Sequence, residues 1–167
     1  EIDLITDTTA PTVSVAIDDG VALEDVAYNY SASVNFEDVD TGDTITYSAT
    51  LSDDSNLPSW LSINATTGVL SGTPSNGDVG AIAVKVTATD SASMSVSDTY
   101  TLTINNTNDA ATITAADASI SEDVATVSGT ATHTDVDANN DANVFAAASN
   151  TSSTYGSYNV TSGGDWT

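Results

Sequence analysis

Between Val26 and Phe36 the even-numbered residues Val26, Tyr28, Tyr30, Ala32, Val34 and Phe36 are apolar, while Asn29, Ser31, Ser33 and Asn35 between them are polar. An alternation of period two fits a strand with one face buried and one in water; a helix needs apolar residues every three to four positions. The same pattern recurs in "TVSVAI" (12–17), "TITYSATL" (44–51), "AIAVKVTA" (81–88) and "TYTLTI" (99–104). Two shorter strands are expected near Trp60–Ile63 and Val69–Ser71, joined by the turn "NATTG", where Gly68 supplies a positive φ. No segment carries helical spacing over three turns. The expected fold is all-β, an antiparallel immunoglobulin-like sandwich of seven strands over residues 12–104.

The chain then repeats itself. "EDVAYNYSASVNFEDVD" from Glu24 is echoed by "EDVATVSGTATHTDVD" from Glu122, and "APTVS" at 10–14 by "AATIT" at 110–114. The period is one sandwich length, ~100 residues, so two sandwiches in tandem are expected. The divisions are an incoming linker (1–11), a first sandwich (12–105), a linker (106–111) and a second sandwich (112–167). The second holds roughly half the residues of the first and has small side chains in "ATVSGTATHT", so it is expected to be incomplete.

Charge narrows the function. Twenty-four acidic residues face one base, Lys85, for a formal net charge of −23. Such a surface repels phosphate, which excludes nucleic acid and anionic membrane as partners. It also pushes a compact state apart unless cations neutralise it. Without cysteine there is neither a disulfide framework nor a thiolate zinc site. No run reaches the ~20 apolar residues of a membrane span. "EIDLITDTTAP" lacks the basic start and apolar centre of a signal peptide, so the chain reads as a segment of something longer.

The carboxylates gather in the loops. If the strands alternate up and down, "EDVDTGD" (37–43) and the loop starting at Asp90 share one pole, which places Asp38, Asp40, Asp43 and Asp90 together, with Asp7 as a weaker candidate. At the other pole Glu24 and the linker residues Asn106, Asn108 and Asp109 are expected to face Asp135, Asp137 and Asp141 of the second module. Calcium takes about six to eight hard oxygens at about 2.3–2.6 Å, and oxygen-rich poles without nitrogen or sulfur ligands suit it better than zinc or copper. An EF-hand is excluded: counted from Asp38, the sixth position is Asp43 where glycine is needed, and the twelfth is Ala49 rather than glutamate.

Other chemistries have weaker support. Paired carboxylates serve glycosidases, but these sit in solvated loops with no evident cleft, so no enzyme is expected. His133, the one histidine, aligns with Phe36 and is expected half-buried on an inward face; no second histidine exists for a triad. Trp60 in "LPSWL" is a possible ligand contact through sugar stacking, with a core or rim role favoured. The five N-x-S/T sequons arise from composition.

Residues 57–104, with "LPSWL", "TGVLSGTP", "DVG" and "VTATD" in order, resemble the dystroglycan-type cadherin-like domain of bacterial surface proteins; with flanking strands the resemblance covers about residues 12–109. Residues 113–167, with "SEDVATVSGT" and "TDVDANND", resemble the first half of the VCBS-type repeat domain of large bacterial repeats-in-toxin adhesins. The resemblance implies calcium ligation by Glu24, the pairs Asp38/Asp40 and Asp135/Asp137, Asp90, and the linker residues Asn106, Asn108 and Asp109. The cadherin motif L-D-R-E has no clear counterpart beyond Asn76 and Asp78.

The expected function is a calcium-stiffened extender of a secreted bacterial cell-surface adhesin. Its partners would be neighbouring repeat domains of the same chain and a cell-surface glycan or protein, with no direct membrane insertion. The alternative is a calcium-dependent carbohydrate- or peptide-binding module.

Overall fold

The computed structural model describes residues 9–40, 42–115, 126–137, 145, 147–153 and 156–167. The chain divides into two compact units, Glu1–Thr107 and Asn108–Thr167. Among the described residues there is no α-helix, and no helix long and apolar enough to cross a membrane.

In the first unit the strands are β1 (Thr12–Val13), β2 (Gly20–Leu23), β3 (Tyr28–Ser31), β4 (Phe36–Glu37), β5 (Thr46–Leu51), β6 (Leu61–Ile63), β7 (Val69–Gly72), β8 (Gly80–Thr89) and β9 (Ser95–Asn105). They form a four-stranded sheet in the order β2-β9-β8-β5, a three-stranded sheet β3-β7-β6 and the pair β1-β4. The alternating residues of β8 and β9 build one wall of the core: Val84, Val86 and Ala88 face inward beside Tyr100, Leu102 and Ile104, with Val84 opposite Tyr100 in the register. Leu61, Leu70, Phe36 and Tyr47 complete it. Each large apolar side chain withdrawn from water in this way contributes about 1.5–3 kcal/mol.

Two expected strands are interrupted. The stretch 26–36 runs as β3, leaves the sheet in a 3-10 turn over Ala32–Asn35, and resumes as β4. The turn buries Ala32 and Asn35 but leaves Val34 70% exposed, so the period-two pattern breaks at Val34. Asn35 explains the break. Its Oδ1 accepts the Tyr30 hydroxyl at 2.7 Å and its Nδ2 donates to the Val15 and Ala16 carbonyls, a use of the buried amide that an uninterrupted strand would not allow. The stretch 12–17 likewise keeps only Thr12–Val13 as strand. The chain then crosses from one sheet to the other, held where the Ile17 and Thr101 amides donate to the Asp98 and Asp19 carboxylates. It re-forms as β2, which pairs with β9 in parallel, where antiparallel pairing was expected; the other pairings among the described strands are antiparallel.

The "NATTG" turn forms as its residues dictate. The Asn64 side chain accepts the Thr66 and Thr67 amides, and Gly68 closes the turn at φ 67°, in the left-handed region where a Cβ is unfavourable.

The described strands of the second unit are β10 (Thr112–Ala115), β11 (Gly129–Thr134), β12 (Ala148–Ser153), β13 (Gly156–Val160) and β14 (Asp165–Trp166), in one antiparallel sheet of order β10-β11-β14-β13-β12. His133, expected half-buried, is exposed: it lies on β11 opposite the exposed Ile113, with its ring edge-on to Phe145.

Candidate metal centre

β5 and β8 are antiparallel neighbours, and the pairing of Thr46 with Thr89 ends both strands at the same edge of the sheet. The loop before β5 (38–45) and the turn after β8 (90–94) are therefore side by side. The β8–β9 turn is pinned by the Asp90 amide, which donates to the Met94 carbonyl, by the Ser93 amide, which donates to the Asp90 carbonyl, and by the Met94 amide, which donates to Asp90 Oδ1 at 2.7 Å. Across the gap, the Ser91 hydroxyl donates to Asp43 Oδ1, which also accepts the Thr44 amide.

This scaffold brings Asp38, Asp43 and Asp90 together: one carboxylate oxygen of each lies within 4.8 Å of the others. Two oxygens bound to one calcium at about 2.4 Å can be no more than about 4.8 Å apart, so the three fit a single coordination sphere. Asp90 is 5% exposed, and the Oδ2 atoms of Asp90 and Asp38 are buried with no hydrogen-bond partner. At that separation two carboxylates repel by about 3.5 kcal/mol at an effective dielectric constant of 20. A divalent cation among them adds an attraction to each carboxylate that outweighs this repulsion. The one basic side chain cannot serve, because Lys85 is paired with Asp54.

Asp40 is placed differently from its neighbours. Its amide donates to Asp38 Oδ1 at 2.9 Å, while its own Oδ2 accepts both the amide and the hydroxyl of Thr9, at 3.0 and 2.7 Å. Asp7 lies outside the described residues.

Glu24 follows β2 and is fully buried. Its Oε1 accepts the Thr107 amide at 3.2 Å and the Asn76 side chain at 3.3 Å, its backbone carbonyl accepts the Thr107 hydroxyl, and Oε2 has no hydrogen-bond partner. A buried carboxylate without a compensating cation costs several kcal/mol. Asp78 is occupied elsewhere, capping its own 3-10 turn through the Ser75 amide and hydroxyl. The Asn106 side chain donates to the Thr107 carbonyl.

In the second unit Asp137 is 8% exposed. Its amide donates to Asp135 Oδ1 at 3.0 Å, its Oδ2 accepts the Asp109 amide at 2.8 Å, and the Asn108 side chain donates to the Asp109 carbonyl. Asp141 lies outside the described residues. Trp60 is half-buried and packs against the first unit's core.

Thr9, Ser91 and Thr107 were not legible as site residues, since a serine or threonine in a chain so rich in them gives no signal until the loops are placed. Asp90 could be read, because it closes an alternating strand.

The mostly antiparallel sheets of the first unit, packed around one core, form an immunoglobulin-like module. The chain belongs to the family described as "Putative Ig domain", whose model matches residues 10–105. No curated protein matches the sequence. Among solved structures, an endo-fucoidan hydrolase of glycoside hydrolase family 107 is 28% identical over 59% of this chain and 14% of its own, with a TM-score of 0.45. Extracellular cadherin domains 1–5 of protocadherin gamma B2 are 17% identical over 76% of this chain and 26% of theirs, with a TM-score of 0.44. The PKD domain from the KIAA 1837 protein is 14% identical over 60% of this chain and 91% of its own, with a TM-score of 0.40.

Proposed function

We propose that the chain is a calcium-stiffened extender segment of a secreted bacterial adhesin, non-catalytic, whose work is to hold a binding tip away from the cell surface. The observation that carries the reading is the convergence of Asp38, Asp43 and Asp90, with the buried Oδ2 atoms of Asp38 and Asp90 left without hydrogen-bond partners. Three carboxylates and no nitrogen or sulfur donor make a site for a hard cation, and calcium tolerates the irregular, loop-built geometry that magnesium does not. Further ions are supported within each unit separately, in the first by the fully buried Glu24 and in the second by the Asp135–Asp137–Asp109 arrangement. Ions at the module ends would stiffen successive modules of one chain and make its reach dependent on calcium.

The competing reading, a glycan-binding module, rests on Trp60, and the packing of that ring against the core favours spacing over recognition. Small-angle scattering of the whole chain, with calcium and with chelator, tests the proposal. Calcium is expected to narrow the distribution of maximum dimensions and to lengthen its mean. Identical profiles in the two buffers would refute it.

A further inference from the structure

The two D-V-D segments, 38–40 and 135–137, are held in the same way within their own units. In the first, the residue just before D-V-D, Glu37, pairs with Thr12 at the start of β1; the Asp40 amide donates to Asp38 Oδ1; and Asp40 Oδ2 accepts the amide of Thr9, three residues before that strand. In the second, Thr134 pairs with Thr112 at the start of β10, the Asp137 amide donates to Asp135 Oδ1, and Asp137 Oδ2 accepts the amide of Asp109, again three residues before the strand. The middle residues Val39 and Val136 point outward, 75% and 62% exposed. Five geometric features thus recur about one domain apart, although the residue donating to the second aspartate is threonine in one unit and aspartate in the other.

In the first unit we infer a division of labour between the two aspartates: Asp38 faces the cation, and Asp40 is a positioning residue that clasps the incoming chain. Asp38 offers its buried Oδ2 to the cluster with Asp43 and Asp90, while its Oδ1 holds the Asp40 amide. An ion that fixes the Asp38 carboxylate therefore fixes the Asp40 backbone, and through Asp40 Oδ2 it fixes the amide and hydroxyl of Thr9. Ion occupancy is read out as order at Thr9, just before β1. This rests on the calcium reading above.

The test is amide hydrogen exchange at Thr9 in the full chain, paired with calorimetric calcium titration, for wild type, Asp40→Ala and Asp40→Asn. Calcium is expected to slow Thr9 exchange by about tenfold or more in wild type. Asp40→Ala removes that slowing while calcium affinity falls by less than about tenfold, the size expected for losing a nearby charge rather than a ligand. Asp40→Asn restores the slowing, because the amide oxygen accepts the same two bonds. Calcium that binds without protecting Thr9, or an Asp40→Asn affinity loss above about a hundredfold, overturns the clasp but leaves the calcium reading standing. Absence of any calcium binding to wild type overturns both. Should Asp40→Ala fail to fold, wild type and Asp40→Asn decide the matter by the same criteria.

Discussion

Replacing Asp90 with asparagine should stabilise the protein when calcium is absent and destabilise it relative to wild type when calcium is present. The side chain is 5% exposed, and its Oδ1 accepts the Met94 amide, a bond that the asparagine oxygen keeps. What changes is Oδ2, which becomes an amide group able to donate toward Asp38 or Asp43 instead of repelling them. Each carboxylate pair at 4.8 Å contributes about 3.5 kcal/mol of repulsion at a dielectric constant of 20, an upper bound for groups that still see water. A realised relief of about 1–2 kcal/mol corresponds to a Tm about 5–15 °C higher for a domain of this size. With calcium at about a hundred times its dissociation constant, wild type gains about 2.7 kcal/mol from an occupied site, and the variant loses most of that gain. Scanning calorimetry in chelator and in calcium should therefore show the two proteins exchanging order. A variant that melts below wild type in chelator and keeps the full calcium increment would refute the reasoning, leaving Asp90 as only a turn residue.

Three further outcomes follow from the packing. Asn35→Ala removes three hydrogen bonds that hold the crossing between sheets and should cost about 2–3 kcal/mol by denaturant unfolding, with an unchanged slope. Gly72→Ala sets a Cβ 1.7 Å from the Trp60 carbonyl oxygen and should cost about 3 kcal/mol or more, whereas Gly77→Ala, with nothing within 4 Å of its Cβ, should stay within about 0.5 kcal/mol. Burial raises the Tyr28, Tyr30 and Tyr100 phenols, the last most strongly, above the usual value of about 10. A raised folded pKa means that the folded state keeps protons the unfolded chain has lost, so this stability is complete below about pH 10 and drains away as pH rises further, by up to about 1.4 kcal/mol per pH unit for each phenol. Tyr100→Phe should make that alkaline slope shallower.

Long strands were legible wherever one residue type dominated each face. β8 and β9 follow their alternation throughout, because Val84, Val86, Tyr100 and Leu102 have no competing use. The pattern misled where a polar side chain had a buried task. Asn35 occupies an outward position in the alternation, yet it faces inward to carry three hydrogen bonds, and the chain leaves the sheet to let it do so. β2 was missed because its larger side chains, Val21 and Leu23, are exposed at an edge and only the small Ala22 faces the core, so pairing with β9 defines it more than its pattern does. At the candidate site, spacing and strand order sufficed to place Asp38, Asp43 and Asp90 at one pole. The hydrogen bonds from Thr9 to Asp40 were not legible, since nothing in a threonine-rich chain marks which threonine the loop will meet.

Calcium titration of the chelator-stripped chain, followed by backbone amide shifts, tests the metal centre most directly. Saturable shifts at residues flanking Asp38, Asp43 and Asp90, lost in Asp90→Asn and not reproduced by an equal concentration of magnesium, are the predicted result. Shifts spread evenly over the acidic surface, growing linearly with added salt and unaffected by Asp90→Asn, would contradict it.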